Sequence, residues 1–136
     1  KRNNLIDCII GTGIPYGKKI QDNYLNLIDS VSRSSAGLRR MGSAAIDLAY
    51  VAAGKLDGFW EKNLNLWDVS SGILLIREAG GKVTELDGND WTTNSKDILA
   101  SNLVIHQNLL KKLTANQPFN PLFCNQLTVS RLIAGI

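Results

Sequence analysis

The stretch Leu66-Trp67-Asp68-Val69-Ser70-Ser71-Gly72-Ile73-Leu74-Leu75-Ile76-Arg77-Glu78-Ala79-Gly80-Gly81 decides how the rest of this chain is read. Val69, Ile73, Leu74 and Ile76 supply the inward face of a helix, and Gly80-Gly81 ends it as a left-handed helix terminus requires. Asp68 stands at the mouth of that helix, where a carboxylate oxygen can accept backbone N–H groups of the first turn. Before it, Leu56-Asp57-Gly58-Phe59-Trp60-Glu61 is strand-like, with Lys62 to Asn65 as a short polar connection. After it, Lys82-Val83-Thr84-Glu85-Leu86 alternates as a half-exposed strand does and turns at Asp87-Gly88-Asn89-Asp90.

Further out the same alternation continues. Leu5 to Ile10 reads as a buried strand that feeds the turn residues Gly11-Thr12-Gly13-Ile14-Pro15. Tyr24, Leu25, Leu27, Ile28 and Val31 place a helix over Gln21 to Ser32, and Leu38 to Met41 is a short strand. Gly42-Ser43 opens a second helix, Ser43 to Ala53, with Ser43 as its cap and Gly54 as its stop. That helix is apolar nearly all round, with Asp47 as the polar exception, so it is expected to be mostly buried. Ile98-Leu99-Ala100 is another strand, followed by a helix from about Val104 to Leu113. Strands alternating with helices indicate an α/β domain with a mostly parallel sheet flanked by helices.

Composition sets the outer bounds. The chain has 136 residues, 44% hydrophobic and 20% charged, and a mean hydropathy of −0.04, which fits one ordinary globular core. Its net charge of +3 comes from a basic excess within residues 1–40, without a long Lys/Arg run, so nucleic acid is not the expected partner. No apolar run reaches the roughly 18 residues of a membrane span. Cys8 and Cys124 stand far apart and His106 is the one histidine, so neither a zinc site nor a disulfide framework is implied, and a reducing cytoplasm is the default compartment. The chain starts at Lys1 and its one methionine is Met41, so it is read as processed, trimmed or part of something longer. Thr114 to Ile136 holds one charged residue, Arg131, and shows no sustained period, which suggests a loosely docked extension.

Ligands of such a sheet belong outside the carboxyl ends of strands, near helix starts. Three features fall there. Gly42-Ser43-Ala44-Ala45 leaves backbone N–H groups open to an anion or a hydroxyl, or is simply a closely packed, capped start. Glu61 ends a strand and reads as a site carboxylate or a solvated loop residue. Asp68 is either a helix cap or a ligand for Mg²⁺, which takes one or two carboxylates and keeps water and substrate phosphate.

The run Leu38-Arg39-Arg40-Met41-Gly42-Ser43-Ala44-Ala45-Ile46-Asp47-Leu48-Ala49-Tyr50-Val51-Ala52-Ala53-Gly54, then Asp57 to Glu61, then Trp67-Asp68 through Glu78-Ala79-Gly80-Gly81, closely resembles the inositol monophosphatase family. Gly11 to Pro15 resembles that family's Thr-Gly-Phe-Pro element, with Ile14 in place of Phe. The likeness runs from about Leu5 to Leu113 and looks closest to bacterial members. It implies the C-terminal half of a layered αβαβα fold, in residues 1–113, with 114–136 as the extension. It further implies a Mg²⁺-dependent, lithium-sensitive phosphomonoesterase, usually dimeric, acting on a sugar or inositol monophosphate. On that resemblance Asp68 would be a metal ligand, Glu61 would hold a substrate hydroxyl, and Gly42, Ser43 and Ala44 would line the sugar or inositol pocket. Metal-activated water would attack phosphorus in line.

The sequence lacks the family's Glu-Glu pair and its Asp-Pro-x-Asp-Gly-Thr/Ser motif. Asp87-Gly88-Asn89-Asp90 has the wrong order and position, and is assigned to a turn. One carboxylate hardly holds Mg²⁺, so the chain alone is expected to have little or no activity. Its expected partners are the missing N-terminal half, in cis or in trans, and further copies of itself. The alternatives are a non-catalytic relic or interaction module, and a nucleotide or fructose bisphosphatase of the same superfamily in which Arg39 and Arg40 serve a second phosphate.

Overall fold

The structure, a computed structural model, describes residues 2–14 and 22–115. A 3₁₀ turn at Leu5–Asp7 precedes β1 (Ile9–Thr12), so the expected strand starts later than its apolar run. There follow α1 (Asp22–Ser34), β2 (Gly37–Arg39), α2 (Ala44–Ala52), β3 (Gly58–Glu61), α3 (Leu66–Glu78), β4 (Lys82–Thr84), β5 (Ile98–Ser101) and α4 (His106–Thr114). Pro15, Gln21 and the extension beyond Ala115 lie outside the described residues. Thr114 itself closes α4. Among the described residues no helix is long and apolar enough to cross a membrane.

The α/β class holds, but the sheet is mixed rather than mostly parallel in its pairing. Its order is β2-β1-β3-β5-β4, with β1 parallel to β2 and β3, and β5 antiparallel to both β3 and β4. The cause is the connection. Helices α1, α2 and α3 return the chain for a further strand in the same direction, whereas β4 and β5 are joined without a helix, and a chain that turns back directly pairs antiparallel. The turn at Asp87 to Asp90 belongs to that return: Gly88 has φ +92°, and the Asn89 N–H donates to the Asp87 carboxylate at 2.9 Å. β5 thus fills the gap that the α3 crossover leaves between β3 and β4.

Both faces of the sheet are covered. Ile10, Trp60 and Leu99 pack under α1 and α4, while Ile9, Phe59, Ile98 and Ala100 pack under α2 and α3. Neighbours in each strand alternate between the two sides, and this two-sided burial is why the strands read as continuous apolar runs. On one side α2 lies tightly on α3, because Gly72 has no side chain: a Cβ there would come within 2.5 Å of Leu48 Cβ. Both helices end in left-handed glycines, Gly54 at φ +71° and Gly80 at φ +78°. At each end two backbone bonds close the terminus: Gly54 N–H to Val51 and Lys55 N–H to Tyr50, then Gly80 N–H to Arg77 and Gly81 N–H to Ile76.

The α2 helix corrects one expectation. Ala44, Asp47, Leu48 and Val51 are buried, but Ile46 is 48% exposed, so this apolar helix buries only one stripe. On α3, Trp67, Leu74 and Leu75 are likewise exposed, at 77%, 60% and 49%. The outward residues of α1 and α4 are mostly polar, among them Asp29, Arg33, Lys111 and Lys112. Helices that are apolar on both sides normally sit inside a protein. The chain alone is therefore expected to self-associate in light scattering, and a clean monomer at high concentration would contradict this.

A buried polar clasp joins β4, β5 and α4. His106, 1% exposed, has Nδ1 at 2.8 Å from Ser101 Oγ and Nε2 at 3.0 Å from Thr84 Oγ1. A neutral ring carries one N–H, so one hydroxyl accepts from it and the other donates to it. Burial, with Lys82 nearby, lowers the imidazole pKa from 6.5 to about 4. The stabilisation is therefore present above pH 6.5 and lost as pH falls through the folded-state value. Acidification from pH 7.5 to 5 should remove about 2 kcal/mol by this route, read as the part of the pH dependence in urea unfolding that His106→Gln abolishes.

Candidate active site

The carboxyl ends of β1 and β3 and the starts of α2 and α3 meet at a cleft of about 370 Å³. This is where an α/β sheet offers room to a ligand. Gly42, Ser43, Ala44, Glu61 and Asp68, the five residues singled out in the sequence, all line it. Arg40 and Trp67 line it as well, and so does Asp47, which the sequence marked only as an exception in an apolar helix.

The start of α2 is held open by backbone geometry. Gly42 has φ +84°, which favours glycine, and turns the chain from β2 into the helix. Ser43 occupies the cap position with extended backbone, and its carbonyl accepts the Asp47 N–H at 3.0 Å. The expected side-chain cap is absent, because the Ser43 hydroxyl makes no bond to the helix. The first N–H groups of α2 have no partner within the helix, as at any helix start, and they open on the cleft wall.

Asp68 also departs from its expected place. The cap of α3 is Asn65, and Asp68 sits three residues later, where its Oδ2 accepts the Asn65 backbone N–H at 3.0 Å. Since α3 begins at Leu66, two residues before Asp68, the carboxylate reaches back along the first turn instead of leading it. This fixes Asp68 at the cleft edge while leaving the other carboxylate oxygen for further partners.

Glu61 and Asp47 rest against β1, and glycines make that possible. A Cβ at Gly13 would fall on the Glu61 carboxyl, and one at Gly11 would lie 2.7 Å from Asp47 Oδ1. Gly13 is tied from the other side of the sheet, where the Tyr24 hydroxyl donates to its carbonyl and the Tyr24 ring lies 5.2 Å from that of Trp60. Burial pushes the Tyr24 phenol up to about 12, so it remains a donor. Burial pushes Glu61 up to about 7, helped by the charges of Asp47 and Asp68 and opposed by Arg40. Asp47 is pushed up to about 6 by burial alone. Three carboxyl groups thus face one cleft, a setting that favours proton retention or the approach of a cation or hydroxyl hydrogen.

Residues 8–119 match the inositol monophosphatase family. This chain belongs to that family. It is 47% identical over 116 residues to an inositol-1-monophosphatase of Caulobacter vibrioides, an alignment covering 84% of this chain and 45% of that protein. It is 41% identical over 116 residues to a putative Nus factor SuhB of Neisseria meningitidis serogroup B, covering 85% and 44%. The crystal structure of extragenic suppressor protein SuhB from Bartonella henselae superposes with a TM-score of 0.79 at 46% identity, covering 83% of this chain and 43% of that one. The chain therefore spans less than half the length of the relatives it matches.

Among the described residues no group of three or more His, Cys, Asp and Glu side chains is placed to hold a metal ion. Asp68 is a single carboxylate with one oxygen already engaged, so the residues present do not fit a complete Mg²⁺ site. Arg39 and Arg40 also part company. Arg39 donates to the Leu38 carbonyl at 2.8 Å, and Arg40 lines the cleft, so the pair does not form a two-arginine clamp there.

The Glu61 environment has a measurable sign. Below its ordinary value of 4.5 the carboxyl is neutral in both states, and between there and about 7 the folded chain keeps a proton that the unfolded chain releases. Its contribution to stability is lost as pH rises through that window. Glu61→Gln should accordingly gain stability relative to the unsubstituted chain between pH 5 and 8, measured by urea unfolding at each pH. Parallel curves would show that the carboxyl is not perturbed.

Proposed function

We propose that this chain is the substrate wall of a Mg²⁺-dependent phosphomonoesterase that hydrolyses a sugar or inositol monophosphate, and that it works only when joined to, or paired with, the rest of the fold. The observation that carries this is the convergence, in a family member, of the open α2 start, Glu61 and Asp68 on one cleft. In this reading Glu61 accepts a hydrogen bond from a substrate hydroxyl. The N–H groups after Gly42, at Ser43 and Ala44, donate to substrate oxygens and orient the ring. Asp68 contributes one ligand to a metal set whose other members lie on the part of the fold that this chain does not span.

The outward faces of α2 and α3 support the same reading. The cited relative is matched over only 45% of its length and so carries further structure, and Ile46, Leu74 and Leu75 offer it an apolar seat. We assign that seat to the remaining part of the relatives' fold, in cis or in trans. Trp67 lines the cleft while 77% exposed, so whatever covers the seat also narrows the site. Cys8 is a free, buried thiol whose Sγ lies 3.1 Å from the Asn4 carbonyl, and it goes with the reducing, cytoplasmic setting that we propose. Lithium sensitivity and dimerisation of the assembled protein belong to this proposal as well.

A second reading, a non-catalytic interaction module, is favoured by one observation: relatives 41% and 45% identical carry the name Nus factor SuhB. Phosphate release from inositol 1-phosphate separates the two. With Mg²⁺ the chain alone should be silent. When mixed with the part of the Caulobacter vibrioides relative that this chain does not match, it should become active, inhibited by lithium and abolished by Asp68→Asn. Silence of the folded mixture would reject the enzymatic reading in favour of the module.

A further inference from the structure

The cleft contains one acidic side chain that the proposed function leaves unused. Asp47 lies in the second turn's approach of α2, four residues after the cap Ser43, and is only 1% exposed. Among the described residues its Oδ1 is buried with no hydrogen-bond partner, and the residue lines the same cleft as Ser43, Ala44 and Glu61. Burial is the cause that pushes its carboxyl up. A buried acceptor without a donor is costly, so its presence calls for a partner.

The chemistry of the cleft restricts what that partner is. The open N–H groups at the start of α2 donate, while Asp47 and Glu61 accept. An anion would meet the first and be repelled by the second; an ammonium group would do the opposite. A hydroxyl satisfies both, because it accepts from an N–H and donates to a carboxylate at once. Asp47 rests over Gly11 in β1 and Glu61 over Gly13, the residue that follows the strand's end, so the two carboxyls form neighbouring acceptors along one stretch of backbone.

We propose that Asp47 is a second hydroxyl-reading carboxylate of the cleft, so that a bound polyol phosphate presents two hydroxyls to this wall, one to Glu61 and one to Asp47. This rests on the substrate-wall reading and adds a determinant of selectivity to it. The N–H groups and carboxyls of this wall hold the polyol end of the substrate, and the phosphate lies away from Asp47.

The test compares two probes, inositol 1-phosphate and cyclohexyl phosphate, which has the ring and the phosphate but no ring hydroxyl. Affinities for the full chain are read from backbone amide shifts in NMR titrations. The unsubstituted chain should prefer inositol 1-phosphate. Asp47→Ala should cut that preference about tenfold, as loss of a hydrogen bond to a charged acceptor does, without weakening cyclohexyl phosphate. Asp47→Asn keeps the shape and a weaker acceptor, so its preference should fall between the two, and it carries the test should Asp47→Ala not fold. A merely structural Asp47 would weaken both probes together, and that result overturns the proposal. If Glu61→Gln reduces the preference while neither Asp47 variant does, this proposal fails and the substrate-wall reading stands. If the unsubstituted chain shows no preference at all, both fall.

Discussion

The cleft wall depends on glycine at two alternate positions, Gly11 within β1 and Gly13 just past its end. They leave one side of this stretch bare, and the carboxyls of Asp47 and Glu61 occupy the space that two Cβ atoms would fill. The consequence is electrostatic as well as steric. Packed against backbone, these carboxyls lose water on one side, which is why burial leads the causes of both upward shifts. A larger residue at either glycine would displace a carboxyl, and with it the acceptor pattern of the wall. The same strand end is pinned from behind by Tyr24, so the two faces of the sheet are coupled at Gly13.

The mixed sheet serves this arrangement. β1 and β3 lie side by side and parallel, so their carboxyl ends bring Gly13 and Glu61 to the same edge. α2 and α3 then start at that edge, one after each crossover, and the close seating of Gly72 on Leu48 fixes them against each other. β5 enters from the opposite direction without disturbing this, because its ladder with β3 adds a strand on the side away from β1. The clasp of His106 between Thr84 and Ser101 lies on that added part, and secures β4 and β5 to α4. The half of the sheet that carries the site and the half that carries the clasp are therefore held by different interactions.

Much of this was legible in the sequence, and the exceptions have physical causes. Helix ends were readable because Gly54 and Gly80 must take left-handed backbone, a requirement that leaves a mark in residue type. The α/β class followed from alternating segments, but strand direction did not, since the return between β4 and β5 is decided by the absence of a helix in a region of turn residues. Five of the residues that line the cleft stood out in the sequence because strand ends and helix starts carry recognisable small and acidic residues. Which of two neighbouring residues caps α3 could not, as Asn65 and Asp68 are both capable and only the geometry divides the roles. Asp47 was missed for a related reason. An acid in an apolar helix is visible, but whether it turns to solvent or to the sheet depends on Gly11 in a distant strand.

Charge then determines which end of a substrate this wall can receive. Asp47, Glu61 and Asp68 face the cleft, with Arg40 as the basic residue beside Glu61. A phosphomonoester brings negative charge into such a place only where cations outweigh the carboxyls, and among the described residues the donor set does not assemble a metal site. The hydroxyl-bearing end meets no such barrier. Under the proposed function a division of labour between two parts of a fold would follow: this part would read the neutral, hydrogen-bonding end of the substrate, and the charge needed for the phosphate would come with the part proposed to seat on α2 and α3. In that arrangement a substrate would be held fully only where the two parts meet, which would tie recognition to assembly.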